Sequence, residues 1–290
     1  MKKICVIPDL QITPECPTDH LSWVGKYIVE KKPDVVVQLG DFADMASLSS
    51  YDYGKRQHEG RRYMADVGAA NMAMDRLMKP LDEYNATRKE RKEKLYRPEK
   101  HLTLGNHENR IQRAVDGDAK MEGVIGLDDL NYEAHGWVVH EYLKPVVISG
   151  ISFCHYYYNP MSGRPYGGTS IDTRLKNINF SFVQGHQQTY MVGTRSLNNG
   201  RRIRGLICGA AYLHDEDYRG PQGNSEWRGV FMLHEAIDGD YGLMEVSLDY
   251  LCRRYEGMRL WKFVEGKYPE IYKNSLWMQR QAMQEAHNGV

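Results

Sequence analysis

The chain has 290 residues, enough for a large core and near the upper end of what one domain holds. Lysine and arginine number 38, as do aspartate and glutamate, so no global field draws nucleic acid or an anionic membrane, and such a partner needs a local patch. No apolar run approaches the roughly 20 residues of a membrane span, and the five dispersed cysteines form no C-x-x-C pair. The four apolar residues before Pro8-Asp9 are too few for a signal-peptide core. These features predict a soluble, cytoplasmic protein in a reducing compartment.

In chain order, Lys3 to Ile7 is a β-branched run that ends at Pro8-Asp9 and predicts a buried strand. His20 to Lys31 carries Leu21, Val24 and Ile28 at helical spacing and stops before Pro33. Val35 to Leu39 is the next strand, which makes a βαβ start with parallel strands. From about residue 45 to 100 lies a helical insertion, with one long amphipathic helix expected from about Gly60 to Tyr84 on the spacing of Met64, Val67, Met74, Leu77, Met78, Leu81 and Tyr84. Arg88 to Lys100 follows with seven basic and three acidic residues, a solvated face or a contact for a phosphate backbone.

Residues 111 to 135 read as helix and loop. Trp137 to Tyr142 and Val146 to Cys154 read as strands, the latter turning at Ser149-Gly150. Gly163, Gly167 and Gly168 mark a loop. Phe180 to Gln184, Tyr190 to Arg195, Arg204 to Cys208, Gly229 to Glu235 and Gly242 to Ser247 are strands spaced like a second sheet. The expected fold class is α/β, two packed sheets flanked by helices. The main domain spans 1–248, and 249–290 form a C-terminal extension docked on the core through Tyr272, Leu276, Trp277 and Met283.

Five polar clusters each follow an apolar, strand-like run: Asp9-Leu-Gln11, Gly40-Asp41-Phe-Ala-Asp44, Leu104-Gly-Asn106-His107-Glu-Asn-Arg110, His155 and Gly185-His186-Gln-Gln188. Residues just past strand carboxyl ends share one crevice in an open α/β sheet. In this order the clusters resemble the calcineurin-like metallophosphoesterase superfamily, whose motifs run Asp-x-His, Gly-Asp-x-x-Asp, Gly-Asn-His-Asp/Glu, a lone His and Gly-His-x-His. The match covers residues 9 to 188.

The resemblance implies a four-layer α/β/β/α architecture and one or two divalent ions, manganese first, with magnesium, iron or zinc as alternatives. Asp41 would bridge the ions, and Asn106, His155 and His186 would complete the second site. The first would hold Asp9 with Gln11 and Gln188, two positions where the family has histidine. Glutamine offers a harder, neutral oxygen, so zinc is disfavoured there. His107 and Asp44 would form a general-acid dyad. Arg110, Tyr156 and Asn159 are candidate substrate contacts, and at least one of the residues following His155 is expected to line the pocket. Arg110 could equally pair within a helix.

The activity implied is hydrolysis of a phosphoester by water attack, foremost as a phosphodiesterase or nuclease on DNA, RNA or a nucleotide. The alternatives are a phosphomonoesterase or protein phosphatase, a non-catalytic scaffold with a degenerate metal site, and a nucleic-acid-binding protein that carries this fold.

Overall fold

The computed structural model describes residues 1–50, 60–168 and 170–287. Within the expected insertion, residues 51–59 lie outside that set. In chain order the strands and helices are β1 (Lys2–Ile7), α1 (Asp19–Lys31), β2 (Val35–Gln38), α2 (Tyr63–Glu90), β3 (Glu99–Thr103), α3 (Asn109–Gly117), β4 (Val138–His140), β5 (Val146–Ile148), β6 (Ile151–Cys154), β7 (Tyr158–Asn159), β8 (Arg164–Pro165), α4 (Ile171–Ile178), β9 (Phe182–Gln184), β10 (Met191–Ser196), β11 (Arg202–Ile207), α5 (Gly220–Gly223), β12 (Gly229–Ile237), β13 (Asp240–Ser247), α6 (Leu248–Glu256), α7 (Leu260–Lys267), α8 (Pro269–Asn274) and α9 (Leu276–His287).

Two main sheets organise these elements. The first runs β13-β12-β1-β2-β3-β4, with β1 to β4 parallel, and the second runs β10-β11-β9-β6-β5, with β6, β9 and β11 parallel. Parallel strands buried on both faces read as continuous apolar runs. In β1, Ile4 and Val6 face the second sheet while Cys5 and Ile7 face the helices. The space between the sheets is filled by Ile4, Val6, Val37, Phe153, Val183 and Leu206, and a smaller cluster on the far face of the second sheet packs Leu175 of α4 on Phe182 and Ile207.

Three expectations need correction. Gly229–Ile237 and Asp240–Ser247 join the first sheet, because β12 pairs antiparallel with β1, Ile4 opposite Leu233 and Val6 opposite Phe231. The stretch from Tyr158 to Pro165 is a small hairpin of two-residue strands and not only loop. In the C-terminal segment the buried anchors are Leu251, Cys252, Leu260, Val264 and Met278, whereas Leu276 is 42% and Met283 65% exposed; Tyr272 and Trp277 are partly buried against the core. Ser275 separates α8 from α9, so one continuous helical face never forms.

Helix α2 carries Val67, Met74, Leu77, Met78 and Leu81 into the core and packs on α1. Gly25 sets the closeness of that contact, since a Cβ there would lie 2.3 Å from the Leu77 carbonyl oxygen and 2.9 Å from Pro80 Cγ. Helix propensity alone favours alanine over glycine by about 1 kcal/mol. A side chain forced against backbone opposes that gain and costs about 1–3 kcal/mol. Gly25→Ala is therefore expected to lower stability in urea denaturation, and an unchanged or raised midpoint would show that the helices can separate freely.

Candidate metal centre

The site gathers at the carboxyl ends of the parallel strands of both sheets. Asp9 and Gln11 follow β1, Asp41 and Asp44 follow β2, Asn106 and His107 follow β3, His155 follows β6, and His186 and Gln188 follow β9. The backbone bends sharply there: Gln11, Asp41, His186 and Gln188 all have positive φ, between 49° and 66°. Non-glycine residues in that region carry a local energetic cost, and such residues cluster at functional sites.

Glycines permit the close approach of loop to loop. A Cβ on Gly105 would sit 2.1 Å from Asp41 Oδ1, and one on Gly185 2.3 Å from Asp9 Oδ1. Glu108, which sequence reasoning left without a role, locks the same loops. Its buried carboxylate accepts the backbone N–H groups of Asp41 (3.0 Å), Ala43 (3.0 Å) and Gly105 (2.9 Å).

Asp41 lies at the centre and is buried. Its Oδ1 accepts the His107 backbone N–H at 3.0 Å; its Oδ2 accepts Gln11 Nε2 at 3.1 Å and lies 3.2 Å from His155 Nε2. Burial alone would push this carboxyl up, but the His107 and His155 imidazoles beside it hold it well below the usual carboxylate range. His155 donates Nδ1–H to the Leu39 carbonyl at 2.7 Å, which fixes its tautomer and turns Nε2 toward Asn106 Oδ1 (3.0 Å) and Asp41 Oδ2. A nitrogen lone pair facing two oxygens is favourable only with a proton or a cation among them. One donor atom from each of Asp41, His155 and His186 lies within 4.8 Å of the others, a grouping that could hold a metal ion. Burial and the neighbouring His155 push the His186 imidazole down to about 4, so it is neutral at pH 7 and its lone pair is available.

The other half of the site is built from oxygens. Asp9 Oδ1 accepts the His186 backbone N–H at 3.0 Å, but Oδ2 is buried without a partner, as is Gln11 Oε1. The orientation of the Gln11 amide follows from Asp41, which can only accept, so the NH2 faces the carboxylate and the oxygen faces away. Buried acceptors without donors are rare and costly. Burial, reinforced by Asp41, pushes the Asp9 carboxyl up to about 7. A carboxylate and an amide oxygen, each buried without a donor, are donors that suit a small hard cation, so the residues present fit one.

Gln188 has a different setting from Gln11. Its Oε1 accepts from Tyr212 Oη (2.8 Å) and Arg219 Nη1 (3.0 Å), and its Nε2 donates to Tyr218 Oη at 2.9 Å. The amide oxygen expected to reach a first ion is engaged by two donors, Tyr212 and Arg219.

His107 pairs with Asp44, Nδ1 lying 2.5 Å from Oδ1, and its Nε2 is 3.7 Å from Asp41 Oδ2. Burial opposes its charge, but Asp41 and Asp44 outweigh that and raise the imidazole to about 9. Arg110 donates to the Asp44 carbonyl at 2.7 Å and lies 3.5 Å from its carboxylate, so it pairs within the site while also lining the cavity.

Tyr156 and Asn159, expected as substrate contacts, do not line the cavity. Tyr156 is buried behind the site, its ring 4.4 Å from that of His186 and its hydroxyl bonded to Tyr142 Oη. Asn159 Oδ1 accepts the Met161 N–H at 2.8 Å within its own turn. Tyr157 is likewise absent from the lining and bonds to Ser152 Oγ. The cavity, about 1280 Å³, is walled on the far side by Glu15, Arg61, Arg62, His214, Glu216 and Tyr218, none of which sequence reasoning selected. These side chains come from loops that only the tertiary fold brings together, so no local pattern signals them.

The role of Glu108 is open to test. Glutamine keeps the shape but replaces one oxygen by a donor, so at least one of three buried N–H groups would lose its acceptor. Glu108→Gln is expected to destabilise the fold by about 1–3 kcal/mol in denaturant titration. A change under about 0.5 kcal/mol would mean that the loops are held otherwise.

No family model and no curated protein matches the chain. Several solved structures match; one of them is similar at 14% identity, covering 85% of this chain and 100% of that chain, with a TM-score of 0.34, a likeness too slight to carry any argument.

Proposed function

We propose that the chain is a metal-dependent phosphoester hydrolase of the calcineurin-like metallophosphoesterase type, with the four-layer α/β/β/α arrangement of that superfamily. The observation that carries the proposal is the meeting of Asp41, Asn106, His155 and His186 around one point, with the charged His107–Asp44 pair beside it. Asp41, Asn106, His155 and His186 would hold one ion. Asp9 Oδ2 and Gln11 Oε1, the two oxygens without donors, would hold a second with Asp41. Oxygen donors favour manganese or magnesium at the Asp9–Gln11 position, and imidazole widens the choice at the position of His155 and His186. A divalent ion there supplies positive charge that neutralises a phosphoryl group and acidifies water.

The remaining chemistry belongs to the chain. His107, protonated at neutral pH, delivers a proton from Nε2 to the departing oxygen, while Asp44 on Nδ1 orients the ring and stabilises its charge. Arg110 holds the Asp44 loop in register and presents positive charge to the cavity. Arg62 lines the far wall with Arg61, which pairs with Glu15 at 3.1 Å, so the charge that supports an anionic substrate such as a phosphodiester of a nucleic acid or nucleotide is that of Arg110 and His107.

Protein dialysed against chelator and reloaded with manganese is expected to hydrolyse bis-p-nitrophenyl phosphate, and Asp41→Asn to abolish turnover. His107→Asn should slow a substrate with a poor leaving group by about 10²–10⁴-fold and one releasing p-nitrophenolate far less. An equal loss on both substrates would remove His107 from the proton-transfer role. Turnover should fall on the alkaline side as His107 loses its proton. Removing the Asp44 carboxylate takes away stabilisation of the imidazolium, so Asp44→Asn should shift that limb to lower pH, and an unshifted limb would contradict the dyad. No turnover with manganese demonstrably bound would leave the scaffold reading.

A further inference from the structure

We propose that Tyr218 is the stacking surface for the nucleobase of a nucleotide unit, and that Gln188 is the positioning residue that holds it there. This rests on the phosphoester reading of the adjoining site and names the part of the substrate remote from the phosphate. Tyr218 lies in the turn after β11, lines the cavity, and leaves 58% of its surface exposed. The ring stands open on the wall that also carries His186 and Asp41.

The ring is exposed but not loose. Its hydroxyl accepts from Gln188 Nε2 at 2.9 Å, and Gln188 stands two residues beyond His186. Arg219, next in the chain, donates to both the backbone carbonyl (2.9 Å) and the side-chain oxygen (3.0 Å) of Gln188. On the other side of the turn, Glu216 and Asn224 exchange two hydrogen bonds, at 2.9 and 2.8 Å. A ring fixed at its hydroxyl and at both ends of its turn loses little freedom when a planar group lies on it, which is the condition for efficient stacking. Aromatic rings accept any base, because every base has a π-face.

The arrangement also gives the glutamine at position 188 a purpose that ion binding does not. All three of its bonds run to the wall that carries Tyr218, through Tyr212, Tyr218 and Arg219. Arg110, His107 and Arg62 line the same cavity, where Arg61 is paired with Glu15, so a phosphate and a planar base can be accommodated together.

Titration calorimetry of the full chain with adenosine 5′-monophosphate and ribose 5-phosphate separates base from phosphate. The nucleotide should bind at least about fivefold more tightly, from the ~1–3 kcal/mol worth of one base–aromatic stack. Tyr218→Ala should erase that ratio, and Tyr218→Phe, which keeps the ring, should retain a ratio of about threefold or more. Equal affinities in the wild type, an undiminished ratio in Tyr218→Ala, or a Tyr218→Phe that behaves like Tyr218→Ala would each overturn the proposal. Protein that hydrolyses bis-p-nitrophenyl phosphate without a base preference keeps the hydrolase reading and loses this one. A base preference without turnover does the reverse.

Discussion

A carboxylate without solvent is the constraint on which the centre of this molecule depends. Asp41 is enclosed where the two sheets converge, and an isolated charge in such surroundings would be untenable. It is stabilised by a backbone N–H from the loop after β3, an amide from the loop after β1 and an imidazole from the second sheet. The same charge thus ties together segments that are remote in sequence. Glu108 completes the tie from behind by gripping the backbone of Asp41 itself. Burial, with the Asp41 carboxylate adding to it, pushes the neighbouring Asp9 carboxyl up toward neutral pH. Cationic charge placed between them relieves both effects, so the architecture and the proposed chemistry share one electrostatic cause.

The two glutamines near the centre, Gln11 and Gln188, differ in setting. Gln11 remains turned toward Asp41 and leaves its oxygen buried and free, a harder donor in place of imidazole. Gln188 has its oxygen and nitrogen committed to Tyr212, Arg219 and Tyr218. Gln11 keeps an acceptor in the oxygen-rich half, and Gln188 braces Tyr218.

Much of the frame was legible because its signals are local. The runs of β1 and β2, the helix between them and the long helix α2 are each encoded by short-range periodicity, and polar residues placed after strand ends mark the crevice. The grouping of Asp41, Asn106, His155 and His186 was legible for the same reason. Tyr156 was misread because neighbours leaving a strand point to opposite sides, so a ring beside a crevice-facing His155 turns into the interior. The hairpin of β12 and β13 carries the alternation of a strand pair but nothing that names its sheet. Its partner β1 is chosen by the packing of Ile4 and Val6 against Leu233 and Phe231. The far wall of the cavity comes from loops distant in sequence, and the buried Glu108 hides behind the residues that draw attention.

The central claim is that Asp41, Asn106, His155 and His186 share a cation. Anomalous diffraction from crystals equilibrated with manganese measures this directly. The account predicts a peak within coordination distance of Asp41, Asn106, His155 and His186, with a second, weaker one near Asp9 and Gln11. Saturating manganese with no peak at that point, or peaks confined to the protein surface, would contradict it.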